Sequence, residues 1–437
     1  MFYIPSKVHF IGIAGAGMAG LAGILHQKGY VVSGSDLIAN AATQYLVNAG
    51  VSFSEGHDVR NLPEDSSNMI VVRSSAVSNS NIEYREALNR GIKCVLRGEM
   101  LAALAQLYKQ PVAIAGSHGK TTVTALLVHI LHEAGLNPGY MIGGKVNDMV
   151  FSADAGDSEI FITESDESDG TQVHLQPDIL LVTNVEDDHS WTLGGKDVLM
   201  RNFAKIAENS RHVIYGSSNT TSTLFKNHSN ALCIDYTRKN KLREQFPCWG
   251  DFQLANALIA LNGALKLGIP EDNIINALRT FPGVARRMSV RYNTDTVVIL
   301  EDYAHHPTEV QAVLNTIRQQ YPDYSLKVLF QPHRYARLEK YLDEFAETLK
   351  IADKIIITPV FAAWVEKGSV DSDVLAQKTG FKAVYRENDS DIISEVLLGL
   401  GEKKEVIAVL GAGDIEHIIP ILIERVKNVK GGYEYGA

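Results

Sequence analysis

Short apolar runs alternate with helix-spaced apolar stripes along nearly the whole chain. Val8 to Ile13 is a strand-type run, Gly15-Ala16-Gly17-Met18-Ala19-Gly20 reads as turn and helix entry, Leu21 to Gln27 as helix, and Tyr30 to Ser35 as the next strand. Met69 to Val72 and Lys93 to Leu96 continue as strands, with Glu83 to Arg90 and Glu99 to Leu107 as helices. Val112 to Ala115 is a buried-strand run, and Leu126, Leu127, Ile130 and Leu131 are helix-spaced within Thr121 to Ala134. Strand runs recur at Glu159 to Thr163, Asp178 to Asn184, His212 to Tyr215, Ala231 to Ile234, Thr296 to Leu300, Leu326 to Phe330, Lys354 to Thr358 and Glu405 to Leu410. Leu254, Leu258, Leu261 and Leu265 mark one helix face, and Ile274, Ile275 and Leu278 another. Val310, Val313, Leu314 and Ile317 line a third, entered through Pro307 at the position a helix start prefers. Alternation of strand with helix implies parallel sheets.

The pattern predicts an α/β protein of three domains, each a largely parallel sheet with flanking helices: a Rossmann-like domain over 1–108, a P-loop domain over 109–289 and a second Rossmann-like domain over 290–437. Lys109-Gln110-Pro111 is a polar junction before the P-loop strand, and Gly431 to Ala437 reads as a frayed tail. The apolar run from Val8 to Leu25 behind Lys7 imitates a signal peptide or a membrane span. Its glycines, at 12, 15, 17, 20 and 23, fall instead in strand-turn-helix order.

Composition changes this picture little. At 437 residues and 45% hydrophobic, the chain has ample material for globular cores. A net charge of -10 with no basic stripe argues against nucleic acid, while leaving room for anionic small substrates held by local Lys, Arg and metal. Cys94, Cys233 and Cys248 have no paired spacing and suggest a reducing compartment.

The chemistry gathers at strand ends. Val112 to Thr122 reads as strand, phosphate loop and helix start. Gly116, Ser117, His118 and Gly119 aim backbone N–H groups at a phosphate, Lys120 reaches the terminal phosphates, and Thr121, followed by Thr122, offers a hydroxyl to magnesium. Ile114 stands where the usual P-loop has its first glycine. Nearer the amino terminus, Gly15-Ala16-Gly17 belongs to a GxGxxG fingerprint, with Asp36 placed to hold a ribose hydroxyl and Ser74 at another strand end. These residues point to a phosphate-bearing nucleotide, NAD or a nucleotide sugar.

Glu164-Ser165-Asp166-Glu167-Ser168-Asp169-Gly170 follows the next strand, and four carboxylates so close need a cation or solvent. Glu164, nearest the strand end, is the best magnesium ligand, and His189 is a candidate for a second metal. On the helix after Gly250, Phe252 is placed to stack on a base and Asn256 to bond its edge. Arg286 and Arg287 follow a glycine turn and suit phosphate recognition. In the third domain, Glu301-Asp302-Tyr303-Ala304-His305-His306-Pro307-Thr308, Gln331-Pro332-His333-Arg334-Tyr335-Ala336-Arg337 and Gly411-Ala412-Gly413-Asp414 all lie at strand ends.

Across nearly its whole length the chain resembles the Mur ligase family. The matching stretches are His9-Phe10-Ile11-Gly12-Ile13 with Gly15 to Met18, Gly34-Ser35-Asp36, Ala115 to Thr122, Glu164 to Gly170, Thr183-Asn184-Val185-Glu186 with Asp188-His189, Asp302-Tyr303 with His305 to Glu309, Phe330 to Tyr335, and Gly411-Ala412-Gly413. The resemblance implies a cytoplasmic enzyme of peptidoglycan synthesis, using ATP and magnesium to join the carboxylate of UDP-N-acetylmuramate to the amine of L-alanine through an acyl phosphate. It implies UDP-sugar binding in the first domain (Gly15, Ala16, Gly17, Asp36, Ser74) and ATP binding in the second, assisted by Arg287 and Asp302. Lys120, His305, Arg334 and Arg337 would be the catalytic set, and Thr121, Glu164 and His189 the metal ligands. The expected state is a monomer or weak homodimer without membrane or nucleic-acid partners.

Two departures accompany the resemblance. The family's Gly-x-His-Asn is here Gly250-Asp251-Phe252-Gln253, and the stretch from His189 to Trp249 is short. Three other readings stay open: a sibling ligase adding a ready-made peptide to UDP-N-acetylmuramate, a non-catalytic nucleotide-binding protein, and an NAD-dependent oxidoreductase. The last leaves Lys120, Thr121 and the acidic strand ends unused.

Overall fold

A computed structural model describes residues 2–147, 151–167, 170–188, 194–236, 239–247, 249–363, 368–401 and 403–431. Three sheets follow one another along the chain, as the alternating pattern predicts. They fall into two compact units, one of residues 1–240 with 255–284, the other of 241–254 with 285–437. Among the described residues no helix is long and apolar enough to cross a membrane.

The first unit carries two sheets. In one, β1 (Lys7–Ile11), β2 (Val31–Asp36), β3 (Ser52–Glu55), β4 (Met69–Arg73) and β5 (Lys93–Leu96) lie in the order β3-β2-β1-β4-β5, all parallel. Strands β1 and β4 are nearly continuous apolar runs because helices cover both faces of such a sheet. The helix Ala16–Gln27 starts directly after Gly15, five residues earlier than its apolar stripe suggests, since Met18, Ala19 and Gly20 are themselves buried. Behind the strand ends, the fully buried Glu83 carboxylate accepts from Ser35 Oγ (2.6 Å), Asn61 Nδ2 (2.6 Å) and the Asp58 N–H (3.0 Å), with His9 Nε2 at 3.4 Å. Those donors outweigh the cost of burial and hold its pKa below the ordinary glutamate value.

The second sheet runs β12-β11-β10-β6-β9-β7-β8, from β6 (Gln110–Ala115), β7 (Gly139–Met141), β8 (Ala153–Asp154), β9 (Ile160–Glu164), β10 (Ile179–Val182), β11 (His212–Gly216) and β12 (Ala231–Ile234). Only β7 and β8 pair antiparallel. The peripheral strands β11 and β12 are present although the stretch that carries them is short. One apolar core serves both sheets of this unit. The helix Ala16–Gln27 packs on β7 and β8, where a Cβ on Gly20 would come within 3.2 Å of both Met141 and Ala153. Tyr108 Oη donates to the Ala155 carbonyl at 2.7 Å, and the Ala155 N–H to Gln27 Oε1 at 2.7 Å.

The second unit has one sheet, ordered β13-β14-β18-β15-β16-β17: β13 (Ser289–Asn293), β14 (Val297–Asp302), β15 (Ser325–Phe330), β16 (Lys354–Ile357), β17 (Ala383–Tyr385) and β18 (Glu405–Leu410). Strand β13 is antiparallel to β14 and the remaining pairs are parallel. Leu410 pairs with both Asp302 and Phe330, so the three polar segments noted in the sequence leave the sheet side by side.

Candidate active site

Strand β6 lies between β9 and β10, with Ile114 opposite Glu164 and Ala115 opposite Val182. The loop after β6 is therefore flanked by the acidic segment on one side and by Thr183-Asn184 on the other. Its glycines are required by space as well as angle. Gly116 has φ +139° and Gly119 φ +83°; a Cβ on the first would collide with Thr183 Oγ1, and one on the second with the Asn256 side chain. Asn256 thus sits buried against the loop, a supporting position where the sequence suggested contact with a base.

Ser117 and His118 are stapled to the end of β10. Thr183 Oγ1 donates to the His118 carbonyl at 2.6 Å, the His118 N–H donates to Asn184 Oδ1 at 2.9 Å, and the Glu186 N–H to Ser117 Oγ at 2.9 Å. The backbone path of the loop is thereby fixed before any ligand arrives, which is how preorganised N–H groups become effective donors. Helix Lys120–Glu133 begins at the loop's end, with Thr122 half-buried in its first turn.

Lys120 Nζ donates to the Gly116 carbonyl at 2.6 Å and to both oxygens of Glu167, at 2.8 and 3.0 Å. Burial pulls the ammonium down, but the carboxylates of Glu167, Asp166 and Glu164 outweigh it and hold the pKa above the ordinary lysine value. Glu167 is only 1% exposed, and burial pushes its carboxyl up to about 7 despite Lys120. Sequence reasoning left Glu167 in an undifferentiated acidic run; its spacing, three residues beyond Glu164, was the available signal.

Thr121 Oγ1 donates to Glu164 Oε2 at 3.1 Å, and the Gly143 N–H to Glu164 Oε1 at 2.6 Å. Burial raises the Glu164 pKa, with Gly143 and Lys120 opposing it. A hydroxyl and a strained-to-ionise carboxylate side by side are hard oxygen donors, so this pair fits a magnesium ion. His189 and Asp169 lie outside the described residues.

In the first sheet, Gly12 adopts φ +87° and donates with Ile13 to the Ser35 carbonyl. Asp36 accepts from the Ala14 N–H (2.8 Å) and the Leu37 N–H (2.8 Å), so its carboxylate shapes the glycine turn that was expected to present a ribose site. Gly15 and Ala16 are exposed at the helix start. Ser74 donates its N–H to the Ile11 carbonyl and packs against Gly12. Arg97, which the sequence did not single out, lies over Gly17, within 3.3 Å of Thr171 Oγ1.

In the second unit, Arg286 and Arg287 diverge. Arg286, at φ +59°, donates to the Gly411 and Gly413 carbonyls (2.8 and 3.1 Å) and pairs with Glu301 and Glu416, tying strand ends together. Arg287 lies 3.5 Å from Glu309 and over the Tyr303 ring. Phe252 is half-buried on the helix Asp251–Lys266.

Asp302 accepts from the Met288 and Ala304 N–H groups, both at 2.8 Å. Burial pushes its carboxyl up to about 6 against the pull of Arg287. The folded protein then binds this proton more tightly than the unfolded chain, whose value is 3.8, so stability falls as pH rises between those two values and levels off above them. The span corresponds to roughly 3 kcal/mol. Denaturant unfolding of wild type and Asp302→Asn from pH 3.5 to 7 checks this: the variant should lack that part of the slope.

His305 Nδ1 donates to the Tyr303 carbonyl at 2.9 Å, which makes Nε2 the acceptor nitrogen. Its ring meets His333 at 5.5 Å, and His333 stacks on Phe361 while its Nδ1 lies 3.1 Å from Arg337 Nη1. Arg337 is among the largest fully buried side chains. Arg334 precedes the helix Tyr335–Lys340 at φ +66°, its N–H donating to the Phe361 carbonyl at 2.8 Å. A non-glycine residue held there is a strained feature typical of functional loops. The structure therefore brings His305, His333 and Arg337 together, with Arg334 at the same turn.

The chain matches the Mur ligase family's catalytic domain over residues 7–109, the Mur ligase middle domain over 114–241, and the Mur ligase glutamate ligase domain over 286–413. A UDP-N-acetylmuramate--L-alanine ligase of Myxococcus xanthus is 35% identical, covering 97% of this chain and 95% of that protein. Its namesake from Aquifex aeolicus is also 35% identical, covering 94% and 95%. Among solved structures, a UDP-N-acetylmuramate-alanine ligase from Thermotoga maritima has the same fold, with a TM-score of 0.76 at 23% identity over 97% of this chain and 99% of that one. A murein peptide ligase from Psychrobacter arcticus gives 0.65 at 22% over 97% and 99%. The glycine loop with Lys120 and Thr121, Glu164 on the adjoining strand, and full-length similarity at this level lead to one conclusion: the chain belongs to the Mur ligase family.

Proposed function

We propose that this chain is the ligase that joins the carboxylate of UDP-N-acetylmuramate to the amine of L-alanine, with ATP converted to ADP and phosphate. The observation that carries the reading is the loop of Gly116 to Thr121 with Glu164 beside it, a phosphate-and-cation site of the kind an ATP-dependent ligase needs. The substrates follow from the full-length relatives, which bear that name. The peptide-adding sibling is the nearest alternative, and relatives 35% identical over nearly the whole chain that bear the alanine ligase's name favour alanine addition. A hydride-transfer role is disfavoured because Asp36 is engaged with its own turn.

A carboxylate is a poor electrophile, so the reaction proceeds by phosphorylating it to an acyl phosphate, which the amine attacks with loss of phosphate and one proton. The chain's part is charge neutralisation and alignment. Gly116 to Gly119 offer N–H groups to the nucleotide's phosphates, and Lys120 and Arg287 offset their charge. Thr121 and Glu164 hold magnesium, which when bound neutralises phosphate oxygens. Arg334 and Arg337 receive the amino-acid carboxylate, and His305 Nε2 accepts the proton leaving the amine. Gly15, Ala16, Gly17 and Ser74 serve the UDP-sugar, with domains bounded near 108 and 289, and the protein works in the cytoplasm. Mass spectrometry of the product tests the reading: a mass gain of one alanyl residue on the UDP-sugar supports it, and a tripeptide gain, with alanine inert, replaces it by the sibling activity.

A further inference from the structure

The phosphate-loop lysine of this chain has a partner of its own. Both Glu167 oxygens lie within 3.0 Å of Lys120 Nζ, and the Gly116 carbonyl takes a third bond at 2.6 Å, so the ammonium is turned into the loop that it is expected to extend beyond. Glu167 is almost completely buried, whereas Lys120 remains 16% exposed: the carboxylate is fixed and the lysine is the member with a route outward. Resting on the ATP-dependent reading above, we propose that Glu167 is a positioning residue that holds Lys120 inward and competes for it with the nucleotide's terminal phosphates.

Binding then exchanges one anionic partner of Lys120 for another, and leaves Glu167 buried without its cation. Buried unpaired carboxylates are costly, and this one meets the cost by taking a proton, for which burial has already prepared it. The exchange makes nucleotide binding weaker than the loop's donors alone would give. It also favours recapture of Lys120 once the transferred phosphoryl group has gone, and so release of ADP.

Glu167→Gln keeps the shape and removes the charge. Isothermal titration of the full-length protein at pH 7.5 with ATP, ADP and AMP is the test. The variant should bind ATP and ADP about tenfold more tightly than wild type and AMP equally well, since AMP lacks the phosphates that Lys120 reaches. In a Lys120→Ala background the same substitution should change nothing. Unchanged or weakened ATP binding in Glu167→Gln overturns the proposal, as does equal tightening for AMP or an effect that survives without Lys120. If Glu167→Gln does not fold, Glu167→Asp, which withdraws the carboxylate from the lysine, should tighten ATP severalfold, and wild-type affinity there would overturn it. Failure of the wild-type protein to bind ATP would sink the ATP-dependent reading itself; binding by wild type with no response to Glu167 sinks only this inference.

Discussion

Lys120→Ala abolishes ATP-dependent ligation, with turnover falling more than a hundredfold, on the order of 3 kcal/mol or more in the barrier. The ammonium is bonded within the loop, held by the Gly116 carbonyl and Glu167, and alanine offers the transferring phosphoryl group nothing in its place. The structure adds a second consequence. Removing Lys120 strands Glu167, and breaking a buried pair by deleting one partner is ordinarily strongly destabilising. Here the carboxyl, already up to about 7 with Lys120 beside it, stays protonated once that cation is gone, so the fold should survive, with stability falling as pH rises from the ordinary glutamate value of 4.5 toward the raised folded value and levelling off above it. Sign follows from linkage: without Lys120 the folded state holds the Glu167 proton that the unfolded chain gives up, and stability drops with increasing pH. The double variant Lys120→Ala/Glu167→Gln should recover that stability at pH 8 and still fail to release phosphate. Normal turnover in Lys120→Ala would remove the phosphate-loop assignment.

Arg337→Ala should raise the alanine requirement or slow amide formation by at least tenfold while leaving UDP-N-acetylmuramate binding nearly unchanged. A charge-assisted pair with a carboxylate in a dry site accounts for such a loss, whereas shortening an exposed arginine costs little. Arg337 is buried and lies against His333, so truncation also opens a cavity beneath the His305–His333 contact. A drop in melting temperature is therefore expected alongside the kinetic effect, and kinetics belong well below that temperature. Calorimetry with the UDP-sugar beside steady-state rates in alanine separates the two roles. Loss of UDP-sugar affinity with an unchanged alanine dependence would reverse the proposed division of labour between the first and third domains.

How much of this was legible in the chain varied with the physics involved. Parallel strands buried on both faces are continuous apolar runs, so β1, β4, β6, β9, β10, β14, β15 and β18 stand out in the sequence. Two edge strands do not: Ser52–Glu55 and Ala153–Asp154 are short and carry Ser, Glu or Asp, because one side of each lacks a strand neighbour. Lys120, Thr121 and Glu164 were readable because local spacing places them at strand ends. The partnerships that define their chemistry were not. Glu167 beneath Lys120, Thr183 and Asn184 bracing His118, and Asn256 packed on Gly119 join residues 47 to more than 100 positions apart. Asp36 shows the converse, since a residue in the right place for a ribose contact is committed to the backbone of its own turn.

Phosphate release from purified protein, measured in ATP and magnesium with UDP-N-acetylmuramate and one amine at a time, bears most directly on the central claim. With L-alanine present, release should be rapid and should stop when the UDP-sugar, the alanine or magnesium is left out. Release that follows L-alanyl-γ-D-glutamyl-meso-diaminopimelate instead, with L-alanine inert, would contradict it.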